Sequence, residues 1–230
     1  MPPRPKCLVS WSSGKDSAWA LHVLRCEGRV DVVGLLTTMS EPYDRIAMHG
    51  VRRELLVAQA GAAGLPLVAV DLPMPCSNEQ YESRMAAAIA RARTEGIECI
   101  AFGDMFLEDV RRYREDRLAG TGIEPLFPLW KRPTAGVAHE MLAAGVRAWV
   151  TCLDPRRVPA SLAGRAWDAS LLDDLPADAD PCGENGEFHT FVSAGPMLAR
   201  PIPVLSGDVV ERDGFVFADF ILDDTSPDES

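Results

Sequence analysis

The chain has 230 residues, an apolar share of 47% and a formal net charge of −11. Such a length fits one large α/β domain, or one with a small appendix, and the acidity argues against a general nucleic-acid binder, whose phosphate contacts need Lys and Arg. Six cysteines (Cys7, Cys26, Cys76, Cys99, Cys152 and Cys182) form no Cys-x-x-Cys pair, which excludes a zinc ribbon or thioredoxin-like motif. Their scatter through apolar stretches reads as reduced, buried thiols. Neither a signal peptide nor an apolar run of ~20 residues is visible, so the expected location is the cytoplasm, with no membrane partner.

Cys7 to Trp11 reads as a buried strand. Ser17 to Glu27 carries Trp19, Ala20, Val23 and Leu24 at helical spacing. Val32 to Thr38 is the next strand, and His49 to Ala63 a helix closed by Gly64. Leu67 to Asp71 is a strand, Asn78 to Glu95 a helix stopped by Gly96. Glu98 to Gly103 and Asp104 to Leu118 repeat the pair, as do the helix Thr134 to Ala144 and the strand-like Arg147 to Cys152 in reverse order. This alternation predicts an α/β fold: a Rossmann-like, doubly wound, mostly parallel sheet with helices on both faces. After Asp154 the chain is punctuated by Pro155, Pro159, Pro176 and Pro181. Val209 to Phe217 reads as a hairpin around Asp213-Gly214. The expected division is a nucleotide-binding domain over 1–153, a smaller C-terminal α+β part over 154–223 that binds substrate, and an acidic, frayed tail over 224–230.

Ser12-Ser13-Gly14-Lys15-Asp16-Ser17 lies between the first strand and the first helix. Small residues let backbone wrap an anion, and the helix start offers amides and a favourable dipole. Lys15 adds a positive charge, Asp16 is a candidate Mg²⁺ ligand, and Ser12, Ser13 and Ser17 offer hydroxyls. The string is not a Walker A loop, because Asp16 follows the Lys. It resembles the PP-loop, Ser-Gly-Gly-x-Asp-Ser, of the N-type ATP pyrophosphatases, with Ser13 in place of a Gly. If that position needs φ > 0, the Ser costs roughly 1 kcal/mol. The resemblance implies a PP-loop ATP-binding domain that releases pyrophosphate and activates a carboxylate as an adenylate.

Other candidates cluster at strand ends. Thr37 and Thr38 either line an adenine and ribose pocket or cap their strand. Arg45 and His49 either touch the nucleotide or are structural. Gly103-Asp104 closes a strand at the same edge, where the carboxylate serves Mg²⁺ or caps the following helix. Trp130 reads as packing and Cys152 as an inert thiol, while Cys182 stays open. In Gly183-Glu184-Asn185-Gly186-Glu187-Phe188-His189-Thr190, two glycines permit close approach to a ligand. Glu187 or His189 could deprotonate an ammonium, and Glu184 could bind ammonium or magnesium. The alternative is a structural turn joining the two parts.

Met48-His49-Gly50-Val51-Arg52, Gln59-Ala60, Phe102-Gly103-Asp104, Pro128-Leu129-Trp130 and Cys182 to Thr190 together resemble the diphthine–ammonia ligase family, over about Lys6 to Ile221. That resemblance implies an adenine-nucleotide α-hydrolase-like sheet, ATP and Mg²⁺ as cofactors, a carboxylate acceptor borne on elongation factor 2, and ammonia as co-substrate. It implies Ser10, Trp11, Ser12 to Ser17, Thr37, Thr38, Arg45, His49, Gly103 and Asp104 for ATP. Lys15, Asp16, Glu187 and His189 are then catalytic, and Glu184, Glu187, His189 and Thr190 face the substrate. A homodimer is the expected assembly. Two rival readings are a tRNA sulfur transferase, which needs a cysteine pair and a basic surface, and a nucleotide-binding sensor that leaves ATP intact.

Overall fold

The computed structural model describes residues 3–46 and 48–223. The strands β1 (Lys6–Ser10), β2 (Asp31–Ser40), β4 (Leu67–Leu72), β5 (Cys99–Ala101) and β6 (Glu124–Leu126) run parallel in the order β4-β2-β1-β5-β6. The two-residue β3 (Arg45–Ile46) pairs antiparallel with the end of β2. Both faces of this sheet are covered, as parallel sheets require. Cys7 and Val9 on one face of β1 join the core cluster beneath α1 (Lys15–Glu27) and α2 (Arg53–Ala63). Leu8 on the other face joins the cluster beneath α3 (Asn78–Thr94) and α4 (Glu108–Leu118). α3 opens with a capping box, Ser77 and Gln80 each satisfying the other's backbone.

After α5 (Thr134–Ala143), a second sheet is wholly antiparallel, in the order β8-β7-β10-β9. Its strands are β7 (Arg147–Leu153), β8 (Phe188–Ala194), β9 (Val204–Arg212) and β10 (Phe215–Leu222), and the short helix α6 (Ala169–Asp173) lies between β7 and β8. The expected hairpin is β9–β10, turned by Asp213 (φ 52°) and Gly214 (φ 80°). Both turn residues have the positive φ that a tight two-residue hairpin needs. The strand-like Arg147 to Cys152, read from alternation as another parallel strand, is β7 of this second sheet. Periodicity identifies a strand but not its partner, and here both partners come later in the chain. The expected boundary after 153 falls at the end of β7. One hydrophobic cluster runs without a break from Val9 and Leu56 to Phe191 and Phe220, spanning both sheets. The acidic tail 224–230 lies outside the described residues.

Two helix starts are later than the periodicity suggests. α2 begins at Arg53 because Met48 (φ 63°) and Gly50 (φ 68°) are left-handed. α4 begins at Glu108 with Leu107 as its cap position, so Asp104 is not the cap of that helix. β6 escapes a periodic reading because it is three residues long with Pro125 at its centre, tolerable only on a sheet edge. No described helix is long and apolar enough to cross a membrane.

Arg45 and Arg52 clamp Asp219 of β10, with N–O distances of 2.7 and 2.6 Å. Burial alone would raise the Asp219 pKa, but the two guanidiniums outweigh it and hold it down at about 2. A carboxylate whose folded pKa is depressed stabilises the fold above its unfolded pKa and loses that contribution as pH falls through the folded value. Asp219→Asn is therefore expected to lower stability at pH 7, with the gap to wild type closing between about pH 4 and pH 2 in urea titrations.

Candidate active site

β1 ends at Ser10 and α1 begins at Lys15, so Trp11 to Gly14 turn the chain at the carboxyl edge of the sheet. Strand order reverses between β1 and β5, the position at which open α/β sheets bind ligands. Ser13 adopts φ 61°. The Gly-to-Ser departure thus sits where a side chain is strained, and the Ser13 hydroxyl is buried with no partner among the described residues. Gly14 is the N-cap of α1 and brings no capping side chain; the first amide of the helix, Lys15 N–H, is met by Thr190 of β8 instead. A Cβ on Gly14 would lie 3.1 Å from the Thr190 carbonyl oxygen and 3.3 Å from His49 Cε1. A Cβ on Gly103, just past β5, would meet the Asp16 carbonyl carbon at 2.8 Å. The end of β5 is thus laid flat on the first turn of α1, and only glycine allows it.

The second sheet reaches this turn through β8. Val192 N–H donates to the Ser13 carbonyl at 3.0 Å, and Thr190 Oγ1 accepts from Lys15 N–H at 3.1 Å. Gln59 of α2, fully buried, accepts from Trp11 Nε1 at 3.0 Å and donates to the Ser13 and Val192 carbonyls at 3.0 and 2.7 Å. Ser17 Oγ donates to the Gly14 carbonyl at 3.0 Å.

A cavity of about 560 Å³ opens beside the turn. Seven expected residues line it: Ser10, Trp11, Ser12, Thr37, Thr38, His49 and His189. Thr37 Oγ1 is buried without a partner among the described residues. The cavity's floor is apolar, with Leu36, Ile100 and Phe102, and its far wall is built by Tyr81 and Met85 of α3 and Arg114 and Arg117 of α4. From α3 and α4 the sequence offers only Glu108, as a neighbour of Asp104 or a solvated residue, and Glu108 does not line the cavity. The available signal was the Tyr81, Met85, Ile89 stripe at i, i+4 spacing, which marks a buried helix face without saying that a cleft faces it. A larger depression of about 880 Å³ lies at the opposite, amino edge of the sheet, around Glu98, Glu115 and Glu124, away from the Ser12–Ser17 turn.

Lys15 is turned inward. Its side chain is 1% exposed, and Nζ donates to the Cys182 carbonyl and, at 3.0 Å, to Asp16. It also lies 5.5 and 5.3 Å from the ring centroids of Trp167 and Phe188. Burial alone would depress its pKa, but the acidic groups around it, Asp16 first and then Cys182 and Glu184, together outweigh that and the net shift is upward, so the ammonium stays charged. Around it, burial raises the pKa of Asp16 and of Asp104, against the pull of Lys15 and Arg114 respectively. Burial also lifts Glu184 to about 7, against the hydrogen bond it accepts from Met105 N–H at 2.6 Å, with Asp16 and Asp104 adding to the rise. Asp16 Oδ1 is buried with no partner among the described residues.

His49 and His189 lie ring against ring, with centroids 4.4 Å apart. Burial pushes His189 down to about 4, and burial plus the His189 ring pushes His49 well below its ordinary value. Both are neutral at physiological pH, and His189 is too weak a base there to take a proton from ammonium. Arg45 is not in the cavity; Asp219 and the Gly50 carbonyl hold it elsewhere. Glu187 Oε1 is turned into its own loop, where it accepts from Asp180 N–H and Asn185 Nδ2 at 3.0 and 3.1 Å, while Oε2 is buried with no partner among the described residues. Burial raises the Cys152 thiol to about 12 and keeps the Cys182 thiol well above its ordinary value, so both are protonated and inert.

Ser13→Gly should relieve the left-handed strain and raise stability by about 1 kcal/mol, read as a Tm increase of roughly 2–4 °C. Glu184→Gln should stabilise the protein at pH 8. A carboxyl whose folded pKa is raised weakens the fold above that value, so the gain should disappear as pH falls from about 7 to about 4.5, measured by denaturant titration across that range.

The family model of the diphthamide synthase N-terminal domain matches residues 5–123. The diphthine–ammonia ligase of Rattus norvegicus is 23% identical over 231 aligned positions, covering 90% of this chain and 85% of the relative. That of Mus musculus is 24% identical over 230, with the same coverage. That of Homo sapiens is 24% identical over 149, covering 62% of this chain and 55% of the relative. With the family match spanning more than half its length, the chain belongs to the diphthamide synthase N-terminal domain family and is an enzyme of the ATP-dependent C–N ligase class.

Proposed function

We propose that the protein adenylates a carboxylate with ATP and passes the activated acyl group to ammonia, with diphthine the acceptor by likeness to the relatives named above. The observation that carries this reading is the direct bonding of β8, bearing His189 and Thr190, to the Ser12–Ser17 turn. One site then holds both the nucleotide and the group it activates. The adenine sits on the apolar floor formed by Leu36, Ile100 and Phe102, and Thr37 and Thr38 meet the ribose. The Gly14 N–H and the positive end of α1 hold the phosphates, and neutral His189 donates a hydrogen bond at the α-phosphate, the one N–H of neutral His49 being directed at the Thr190 carbonyl.

The acceptor carboxylate oxygen attacks the α-phosphorus, the bond to the bridging oxygen breaks, and pyrophosphate leaves. Ammonia then attacks the acyl carbon, AMP departs, and one proton is released to form the amide. The Gly14 N–H and the buried Lys15 charge stabilise the charge that develops on the departing pyrophosphate. Glu184, with Asp16 and Asp104 close enough to raise its pKa, receives the ammonium and takes up its proton. Asp16 suits Mg²⁺, since Oδ1 is buried and unpartnered among the described residues, although no group of three His, Cys, Asp or Glu is assembled for a metal among them. Magnesium commonly binds through one carboxylate plus substrate phosphates and neutralises their charge. The protonated state of Cys152 and Cys182 speaks against thiolate chemistry of the sulfur-transferase kind.

Product analysis with ATP labelled at the α- or γ-phosphate tests the reading. AMP and pyrophosphate are expected, with amide formation dependent on ammonium and acceptor; ADP and phosphate, or intact ATP, would remove it. Lys15→Ala should slow AMP formation at saturating ATP by ~10²-fold, as loss of a charge-stabilising group does elsewhere. An unchanged rate would exclude Lys15 from the chemistry.

A further inference from the structure

The amide of Gln59 lies outside the cavity lining, yet it is fully buried and uses its oxygen and both hydrogens. The Trp11 indole can only donate, so it fixes the amide oxygen on its own side and turns the NH₂ group toward the Ser13 and Val192 carbonyls. The Ser13 carbonyl thereby receives two donors from the protein interior, Gln59 Nε2 and Val192 N–H, each at 3.0 Å. A trans peptide is planar, so its N–H points away from its C=O. Pinning the Ser13 carbonyl inward turns the Gly14 N–H outward, where its partner is the Ser12 hydroxyl at a long 3.4 Å. The same peptide follows a residue held at φ 61°, which a serine does not adopt without a constraint.

We infer that Gln59 is a positioning residue for ATP: it fixes the Ser13–Gly14 peptide so that an N–H, and not a carbonyl oxygen, faces the phosphates. The inference rests on the reading of Ser12–Ser17 as the phosphate loop. Without the clamp the peptide is free to rotate, and a flipped carbonyl would oppose the anion. Trp11 acts one step behind, by keeping the amide from turning over.

The test compares ATP with adenosine, which lacks the phosphates, by calorimetry on the full chain. Gln59→Met should weaken ATP by about 10-fold or more, the worth of a hydrogen bond to a charged group, and leave adenosine within about twofold. Equal weakening of ATP and adenosine, or no weakening of ATP, would overturn the inference. If Gln59→Met does not fold, Gln59→Glu replaces it, because its carboxyl still accepts from Trp11 Nε1 but cannot donate to both carbonyls; the same selective loss for ATP is expected, and an unchanged ATP-to-adenosine ratio would count against. Wild-type protein that binds ATP but leaves it whole would sink the ligase reading alone, since the variants' ATP affinities would still decide the role of Gln59.

Discussion

Two hydrogen bonds, from Val192 N–H to the Ser13 carbonyl and from Lys15 N–H to Thr190 Oγ1, join a parallel sheet to an antiparallel one at the point where the first strand turns into the first helix. If the turn wraps a phosphate, as proposed above, it needs amides pointing at the ligand, and so it needs its carbonyls disposed of elsewhere. β8 and Gln59 take them. The adjacent glycines follow from the same demand: Gly14 lets β8 and His49 crowd the turn, and Gly103 lets β5 lie on the helix start. The site is therefore the seam between two sheets.

The electrostatics follow from burial at that seam. A single buried ammonium, Lys15, faces a group of carboxylates whose pKa values all shift upward, and it lies behind the loop with its head on a backbone carbonyl. The field it contributes reaches the site through a low-dielectric interior, where charges act more strongly than at a surface. The same burial keeps the two histidines neutral, which disfavours proton transfer by either.

Most of the parallel sheet was legible in the sequence, because each of its longer strands and helices carries a complete hydrophobic period. The turn itself was legible because small residues, Lys and Asp stood between a strand and a helix. What was not legible depended on partners far along the chain. The sequence left Arg45 between a nucleotide contact and a structural role, and the partner that decides it, Asp219, lies more than 170 residues later. Glu187 looked like a base, and its loop closes around it. The pairing of β7 with β8 and β10, and the contribution of α3 and α4 to the cavity, are likewise matters of assembly that no local pattern encodes. Gln59 was visible only as part of a resemblance, since a lone glutamine on a helix gives no local sign of what it will meet.

The hydrophobic cluster that passes from beneath α2 into β8 and β10 has a consequence for how the molecule comes apart. A hydrophobic cluster continuous across both sheets offers no plane along which one sheet could melt while the other persists. Cutting the chain between α5 and β7 would bare Trp11, Leu56 and Phe191 together and strip the Ser13 carbonyl of a donor. Loss of order at the C-terminal strands and loss of the nucleotide site are then one cooperative event, and the enzyme's capacity to hold ATP reports on the integrity of residues near the far end of its chain.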